Sequence, residues 1–365
     1  MTVLRLLALA IGLSATLVVA APPVSAVPPA GPRIAFVEWL AEPPMTRMGT
    51  VGADGSARRT LPVGGVQPVP FDGPAWTPDG STLVYAGYLG GPDGEPREGA
   101  TFRIYAVGAE GGPPREVPGT RGGSHPVLSP DGGVIAFERS KLNFHFDPDN
   151  PLAFGYYSSA TTWMVPIGGG TPRRLTPWRN GLTTSPAAFS PDGSTLLLER
   201  DRRPGWGPEV VARSLRGGLL KVISRRAEDP AYSPDGTQIA LIDYRDGFSV
   251  ETGDRPSAVG ELYVIDANGL HPRRLTFTKA DQESQPSWSP SGERIAFLRV
   301  PGPGGLGFGS TMLQANADGS CARRVTGSSG RQAPALYGPA WQPGPGREAG
   351  PISCATAAAS RLPES

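Results

Sequence analysis

A stretch of about fourteen residues recurs along this chain, each time with a proline and a glycine near its centre, usually with an aspartate between them. The copies read PAWTPDGSTLVYAG, PVLSPDGGVIAFER, PAAFSPDGSTLLLER, PAYSPDGTQIALID and PSWSPSGERIAFLR, followed by a truncated PAWQP. They begin 44 to 60 residues apart, at Pro74, Pro126, Pro186, Pro230, Pro286 and Pro339. A unit repeated at this spacing cannot bury its apolar face alone, so neighbouring copies must pack on one another.

Each copy predicts two strands joined by a tight turn. In Ser/Thr-Pro-Asp-Gly, proline supplies the fixed φ of the second turn position, aspartate tolerates the third, and glycine takes the left-handed fourth position of a bulged hairpin. Apolar residues alternate after the turn, as in QIALID, which is typical of a strand. A second hairpin follows each first one, most clearly in ELYVIDANGLHPRRLT, from Glu261 to Thr276. One repeat is therefore a meander of four strands.

Four-stranded units repeated in this way predict an all-β fold, a six-bladed β-propeller of four-stranded antiparallel blades. RIAFVEWL, from Arg33 to Leu40, lacks a first strand, and the final PAWQP lacks later ones. We therefore expect the N-terminal strands to pair with the C-terminal strand and close the ring, which leaves no long unpaired edge. The large residues before the turns are expected to fill the space between blades: Trp76, Leu128, Phe189, Tyr232, Trp288 and Trp341.

The chain is expected to comprise four segments. They are a signal peptide at 1–26, a short linker at 27–32, the propeller at 33–343 and a C-terminal tail at 344–365. The first segment has Arg5, then an apolar run, then a small-residue cleavage site ending at Ala26. An uncleaved membrane anchor is the alternative, although the apolar run is short for a span of about 20 residues. We expect an exported protein, secreted or held in the periplasm or cell envelope, without a stable membrane span after cleavage.

Charge and cysteine content narrow the possible partners. The chain has 34 basic and 33 acidic residues, and loss of Arg5 with the leader would leave 33 of each. Nucleic-acid binding needs a strong basic excess, so we expect no nucleic-acid partner. Cys321 and Cys354 are the only cysteines. An oxidising compartment favours pairing them, and two free thiols are the alternative.

Arginine pairs recur in the predicted outer strands. They are Arg58–Arg59, Arg173–Arg174, Arg273–Arg274 and Arg323–Arg324. Charged residues on an outer strand suppress edge-to-edge pairing with other sheets, which is the favoured interpretation. The alternative is a basic belt that attracts anionic polymers of a cell envelope.

The repeats resemble those of TolB-type propellers, a WD-like family. The match rests on Pro-Asp-Gly turns such as PAYSPDGTQIALID, followed by segments such as ELYVIDANGLHPRRLT, and it runs from about Arg33 to Pro343. The chain departs from the pattern at Ser291, which replaces the turn aspartate, and it is expected to lack the α/β domain that precedes the propeller in TolB. The resemblance implies an exported, non-enzymatic scaffold that binds a protein or peptide. We expect it to be a monomer.

Several loops of the chain are long, and in a propeller they share one face. This long-loop face is formed by the loops before the innermost strands and by those between the second and third strands. Long loops on a rigid scaffold often carry binding residues, and Tyr, Trp and Arg are frequent interface anchors. The alternative is that these loops only extend the rim. The candidate partner-binding residues are Trp39, His145, Tyr156, Tyr157, Arg202, Arg203, Trp206, Phe248 and Arg255.

Polar residues precede the inner strands and are expected at the mouth of the central channel. This set is Asp72, His125, Ser185, Asp229 and Gln285. Together with Glu228 and Glu283, such oxygens are the ligand type that calcium prefers. Solvated loop acids are the favoured explanation, so we expect no metal site and no cofactor.

The sequence shows no catalytic motif. The nucleophile motif G-x-S-x-G, a P-loop, a dinucleotide fingerprint and zinc-ligand spacing are all missing from it. We therefore expect no enzymatic activity. The alternative is an exported propeller enzyme, a polysaccharide lyase or hydrolase, with its site at the channel mouth.

Overall fold

The computed structural model describes residues 31–41, 44–90, 101–140, 159–179, 182–201, 207–245, 259–278, 281–302, 309–327, 333–344 and 350–354. Within these ranges the chain forms six antiparallel sheets, five of four strands and one of five. The predicted six-bladed, all-β propeller is thus confirmed for the described part of the chain. Nowhere in that part does a helix reach the length and apolarity that crossing a bilayer requires.

The strands are numbered along the chain, and the last blade takes strands from both ends. The first three strands are β1 (Arg33–Ala41), β2 (Pro44–Gly52) and β3 (Arg59–Leu61). Blade 1 comprises β4 (Val66–Pro68), β5 (Ala75–Trp76), β6 (Thr82–Leu89), β7 (Arg103–Gly108) and β8 (Arg115–Glu116). Blade 2 comprises β9 (Gly123–Leu128), β10 (Val134–Ser140), β11 (Ala160–Pro166) and β12 (Arg173–Arg174).

The remaining blades repeat the four-stranded meander. Blade 3 comprises β13 (Thr183–Phe189), β14 (Thr195–Asp201), β15 (Glu209–Ser214) and β16 (Lys221–Arg225). Blade 4 comprises β17 (Ala227–Tyr232), β18 (Gln238–Asp243), β19 (Glu261–Asp266) and β20 (Arg273–Arg274). Blade 5 comprises β21 (Gln282–Trp288), β22 (Arg294–Val300), β23 (Thr311–Asn316) and β24 (Arg323–Gly327), and blade 6 joins β25 (Ala335–Trp341) to β1, β2 and β3.

The Pro-Asp-Gly turns depend on the aspartate as well as on the glycine. In blade 2, Ser129 Oγ donates to Asp131 Oδ1 at 2.5 Å, and the Gly133 N–H donates to the same oxygen at 2.9 Å. Ser129 first, and then this backbone donor, lower the pKa of Asp131. The turn glycine, Gly132, has a φ of 69°, the left-handed conformation that glycine adopts without a steric penalty. In blade 5, Ser291 Oγ accepts the Glu293 N–H at 3.2 Å, which preserves the turn without an aspartate.

The large residues before the turns pack between blades. Three indole N–H groups donate to carbonyl oxygens of the adjacent blade: Trp76 to Ala340 at 3.0 Å, Trp288 to Ala231 at 3.1 Å and Trp341 to Ser287 at 3.0 Å. These three rings and Phe189 are buried, whereas Leu128 and Tyr232 are partly buried against adjoining core clusters. Burial of such a ring contributes about 2 kcal/mol. The aromatic positions therefore hold successive blades together.

The two ends of the described chain meet in blade 6. Strand β1 pairs with β25, so that Ile34 lies opposite Trp341 and Val37 opposite Tyr337. Beyond the paired residues, the Gln342 N–H donates to the Arg33 carbonyl at 2.7 Å. The N-terminal strand is consequently the second strand of a blade whose innermost strand comes last in the sequence.

A disulfide joins the C-terminal segment to blade 5. Cys321 bonds to Cys354, 33 positions later in the sequence. Next to it, the Ile352 N–H donates to Asn316 Oδ1 at 2.7 Å, and Asn316 Nδ2 donates back to the Ile352 carbonyl at 3.1 Å. The Ile352 residue is 5% exposed. The closed loop includes β24 and β25, so the bridge covalently ties the innermost strand of blade 6 to blade 5.

Removal of this bridge should destabilise the propeller. Closing a loop of 33 residues in the unfolded chain is worth about 3–4 kcal/mol. We expect the Cys321→Ser/Cys354→Ser variant to lose a comparable free energy of unfolding, measured by urea denaturation of both proteins under oxidising conditions. Reduced wild type should match the variant. Equal midpoints for the oxidised wild type and the variant would contradict this prediction.

Candidate binding site at the central channel

The inner strands of the blades surround a central channel, which holds a cavity of about 310 Å³ lined by described residues. At the corresponding place in each repeat, one residue precedes a proline: Gly73, His125, Ser185, Asp229, Gln285 and Gly338. Five of these residues, all but Ser185, line the cavity together with the six prolines and Glu199. The repeat therefore builds one concave site from equivalent positions of six blades.

Proline shapes the strand at these positions. In blades 2, 4 and 5 the inner strand departs from its pairing register at the residue-proline dipeptide, because proline has no N–H to donate to the ladder. There His125, Asp229 and Gln285 have φ values of 50°, 52° and 49°. Positive φ is uncommon outside glycine, and bulges of this kind re-aim side chains and are frequent beside functional sites. Three side chains of the cavity thus owe their position to a bulge.

Side chains of one blade cap the bulged backbone of the next. The donor N–H groups and their acceptors are His125 to Asp72 Oδ2 (2.8 Å), Asp229 to Glu199 Oε1 (2.8 Å), Gln285 to Asp229 Oδ2 (2.8 Å) and Gly338 to Gln285 Oε1 (2.7 Å). We call the four acceptors, Asp72, Glu199, Asp229 and Gln285, the channel belt. Leaving a buried polar group unpaired costs about 1–3 kcal/mol, so the belt stabilises the ring. Three of its members, Glu199, Asp229 and Gln285, also line the cavity.

A histidine lies between Asp72 of the belt and a second acid, Glu138. His125 Nε2 is 3.1 Å from Asp72 Oδ1, and its Nδ1 is 3.8 Å from Glu138 Oε2. The imidazole keeps 45% of its surface open, whereas the Asp72 and Glu138 side chains are 3% and 9% exposed. The acids therefore form the wall of the channel, and the imidazole is the part of this cluster that a ligand would meet.

Hydrogen bonding at Ser185 does not create a nucleophile. Its Oγ–H donates to Glu138 Oε2, so the hydroxyl points at a carboxylate and not at the imidazole of His125. A serine nucleophile needs a neighbouring base within hydrogen-bond reach, usually a histidine. Among the described residues this cluster therefore lacks the serine–histidine pair of an acyl-transfer site.

Burial shifts the titration of the channel acids. It raises the pKa of Asp72 and of Glu138. Burial, with the nearby Glu228 as a second cause, raises the pKa of Glu199 to about 7. The pKa of Asp229 rises well above its ordinary value, first through burial and then through the charge of Glu199.

The pKa of His125 is raised, although burial acts to lower it. Burial alone would lower the pKa of His125, but the surrounding carboxylates, Asp72 foremost, outweigh that effect and raise it. Protonation of the imidazole is thus favoured by the same acids whose ionisation is disfavoured by burial. The charge of the channel wall consequently changes near neutral pH.

An aromatic group lies beside these acids. The ring of Phe71 meets Tyr337 edge-on at 4.8 Å and lies 6.2 Å from Trp39. Phe71 has a φ of 75° and remains 37% exposed. Gln285 Nε2 donates to its carbonyl at 3.2 Å. Positive φ in a bulky residue is costly and is found mainly where function maintains it. We call Trp39, Phe71 and Tyr337 the aromatic lip.

The structure brings part of the predicted site together. Asp72, His125, Asp229 and Gln285 meet at the channel, and Ser185 joins them through Glu138. Trp39 lies in the aromatic lip. The other candidates of the long-loop face fall outside the described residues: His145, Tyr156, Tyr157, Arg202, Arg203, Trp206, Phe248 and Arg255.

The sequence did not indicate two acids of the site, the buried Glu138 and the half-buried Glu199. Glu138 and Glu199 occupy a repeat position that is apolar in other blades, where it holds Val37, Ile242 and Leu298. An acid at an otherwise apolar core position is a recognisable signal, because a buried charge is rarely tolerated without a partner. Aligning the second strands as well as the turns would have revealed it.

Two of the acids that the sequence suggests as calcium ligands, Glu228 and Glu283, have protein partners. The Glu283 side chain is fully buried and accepts from Arg299 Nη2 at 2.7 Å. Glu228 accepts a hydrogen bond from the Tyr244 hydroxyl. Within the described ranges, no group of three acidic, histidine or cysteine side chains is arranged to hold a metal ion.

Comparisons with known proteins give relatives that match up to 63% of the chain. No family model matches it. It is 25% identical over 232 residues to the Tol-Pal system protein TolB of Francisella tularensis, which covers 63% of this chain and 45% of that protein. It is 27% identical over 202 residues to the uncharacterized peptidase YuxL of Bacillus subtilis, covering 47% of this chain and 28% of the peptidase. The chain thus spans less than half the length of these curated relatives.

A solved structure shares the architecture. TolB from Acinetobacter baumannii superposes with a TM-score of 0.62 at 21% identity, over 86% of this chain and 67% of that one. At this identity the superposition establishes the fold. The resemblance to TolB-type propellers, which the repeats predict, is confirmed by both the sequence match and the shared fold.

Proposed function

We propose that this chain is an exported, non-enzymatic scaffold that binds a protein or peptide at its long-loop face, with a segment of the partner entering the channel mouth. The exposed Phe71 carries the proposal. Its backbone has a positive φ, and the residue lies beside an acid-lined cavity of about 310 Å³. That volume lies at the lower end for ligand pockets and suits a side chain or a chain end. The similarity to TolB, a Tol-Pal system protein, supports a role in the cell envelope.

The charge of the channel indicates which segment fits. Glu138, Glu199, Asp229 and Asp72 face a single imidazole, that of His125. Burial penalises these carboxylates when they are ionised, and an incoming cation would relieve that penalty. We therefore propose that the entering segment carries a lysine, an arginine or a free amino terminus, with an apolar neighbour for the aromatic lip.

Replacement of Phe71 by glycine should separate binding from stability. Glycine adopts a φ of 75° without the steric cost that phenylalanine bears. We expect Phe71→Gly to leave the unfolding midpoint unchanged or higher, while capture of the partner by crosslinking pull-down from the secreting cell's envelope falls at least tenfold. Leu219→Ala is the matched control, because Leu219 is 94% exposed in the turn between β15 and β16, away from the channel mouth. Undiminished capture by Phe71→Gly would contradict the proposal.

Acidification should weaken the binding of a cationic segment. Glu199, with a pKa of about 7, loses its charge as the pH falls through neutrality, and the raised pKa values of Glu138 and Asp229 make them lose theirs at a higher pH than ordinary carboxylates. The raised pKa of His125 favours its protonated form, so all these changes make the channel less negative. We expect the captured partner to bind at least tenfold more weakly at about pH 5 than at about pH 8, in titrations at constant ionic strength.

The matched variant for this pH dependence is Glu199→Gln. Its amide oxygen can still accept the Asp229 N–H, but the charge is gone. The variant should bind more weakly at the higher pH and show a flatter pH profile. Wild-type binding that is equally tight at both pH values would exclude a cationic segment in the channel.

An enzyme with its site at the channel mouth is the second candidate. The 3.1 Å contact between His125 and Asp72, together with the match to part of a B. subtilis peptidase, favours it. A histidine oriented by a carboxylate is a common general base. A polysaccharide lyase or a hydrolase of this type should lose its turnover in His125→Ala while its fold remains intact. A screen of oligosaccharides and peptides that finds no turnover by the wild type would exclude it.

A further inference from the structure

A second cavity lies on the face of blade 6 and has a volume of about 460 Å³. Its described lining is Phe36, Glu38, Arg47, Gly49, Arg58, Arg59, Thr60 and Pro334. None of these residues lines the channel cavity. Three arginines and one acid give its wall the opposite character to that of the channel.

A single buried carboxylate organises two of the arginines. The Glu38 side chain is 4% exposed, and its Oε2 accepts from Arg47 Nε at 2.7 Å. Its other oxygen pairs with Arg58 Nη2. Arg59 is paired with Glu110 and therefore adds little to the charge balance. Two guanidinium groups against one carboxylate leave a net positive charge on this wall.

Both arginines retain donors that no described residue uses. Arg47 gives Glu38 only its Nε–H, and Arg58 gives only an Nη2–H, whereas a guanidinium has five N–H groups. Their side chains are 39% and 40% exposed. The unused edges are thus open to the cavity side, while Glu38 restricts their motion. Arginines held in this way lose little further entropy on binding.

A glycine allows the floor of the cavity to form. A Cβ at Gly49 would lie 2.6 Å from the ring of the facing Phe36, so only glycine lets that ring lie flat against β2. The Arg58 guanidinium lies over the same ring, 5.7 Å from its centroid. Phe36 therefore supports Arg58 from below, and Glu38 fixes it from the side.

We propose that this cavity binds an oxyanion, the carboxylate or phosphate group of a small ligand. The forked N–H donors of arginine match the oxygen pairs of both groups. The pair Arg173–Arg174 illustrates the difference, because both residues are exposed on β12 and neither has an acidic partner among the described residues. The site is thus distinguished by its buried carboxylate and its cavity, since arginine pairs alone occur elsewhere on the outer strands.

Titration with two probes tests this site and distinguishes the two anion types. Inorganic phosphate and galacturonate are each titrated into the full chain by calorimetry at low ionic strength. We expect saturable one-to-one binding of at least one probe, weakened at least tenfold in Arg47→Ala/Arg58→Ala and unchanged in the matched control Arg173→Ala/Arg174→Ala. The stronger probe identifies the source of the oxyanion.

Further variants keep the result interpretable. Arg47→Ala alone leaves the Glu38–Arg58 pair intact, so it should fold normally and still bind the preferred probe more weakly by severalfold. Phe71→Gly should retain full anion binding, because the channel shares no lining residue with this cavity. If neither probe saturates the wild type, or if the control double variant loses as much affinity as Arg47→Ala/Arg58→Ala, the site does not exist.

Discussion

The hydrogen bonds from the bulged inner backbone of one blade to the side chains of its neighbour determine both the ring and its site. In blades 2, 4, 5 and 6 the proline at the start of the repeat cannot donate to the ladder, so the residue before it leaves the register and its N–H turns toward the adjacent blade. Asp72, Glu199, Asp229 and Gln285 accept these donors. Three of these side chains, Glu199, Asp229 and Gln285, also line the channel cavity, so the polarity of the site follows from the way the blades are joined.

This dual use has a thermodynamic consequence. An acid whose pKa is higher in the folded than in the unfolded chain binds its proton more tightly when folded, so stability declines as the pH rises from the ordinary pKa to the folded value. For Glu199 this window runs from 4.5 to about 7, and Asp229 acts in the same direction. The hydrogen bonds of the belt offset part of that cost. A cation in the channel would offset more of it, because it stabilises the ionised form that burial disfavours. Acids whose ionised form is disfavoured by burial therefore gain stability when a cation binds beside them.

The fold could be predicted largely from the sequence, whereas the site could be predicted only in part. The Pro-Asp-Gly turns and the aromatic residues before them are local signals repeated at blade spacing. A copy that departs from the pattern can therefore be identified by its alignment with the others. Ser291 illustrates this, since its hydroxyl accepts the turn N–H that an aspartate would accept. The contacts of His125 with Asp72 and Glu138 join different strands, and no local pattern encodes them. The positive φ of Phe71 could not be predicted from the sequence either, because phenylalanine has no preference for that conformation.

The net charge of the chain is close to zero, but two of its surfaces carry opposite charge. The channel collects carboxylates around one imidazole, while the blade 6 cavity sets two arginines against one carboxylate. Each has an acid on the second strand of a blade, but at adjacent positions: Glu138 and Glu199 lie where blade 6 has Val37, and Glu38 follows one residue later. The outcome depends on what faces that acid. Where neighbouring blades contribute further acids, the site is negative and its acids resist ionisation. Where the next strand contributes Arg47, the same type of residue becomes an anchor for cations and the surface becomes positive. Acids at two adjacent positions of the second strand, whose side chains point to opposite faces of a blade, can in this way give surfaces of opposite charge without any change in the fold.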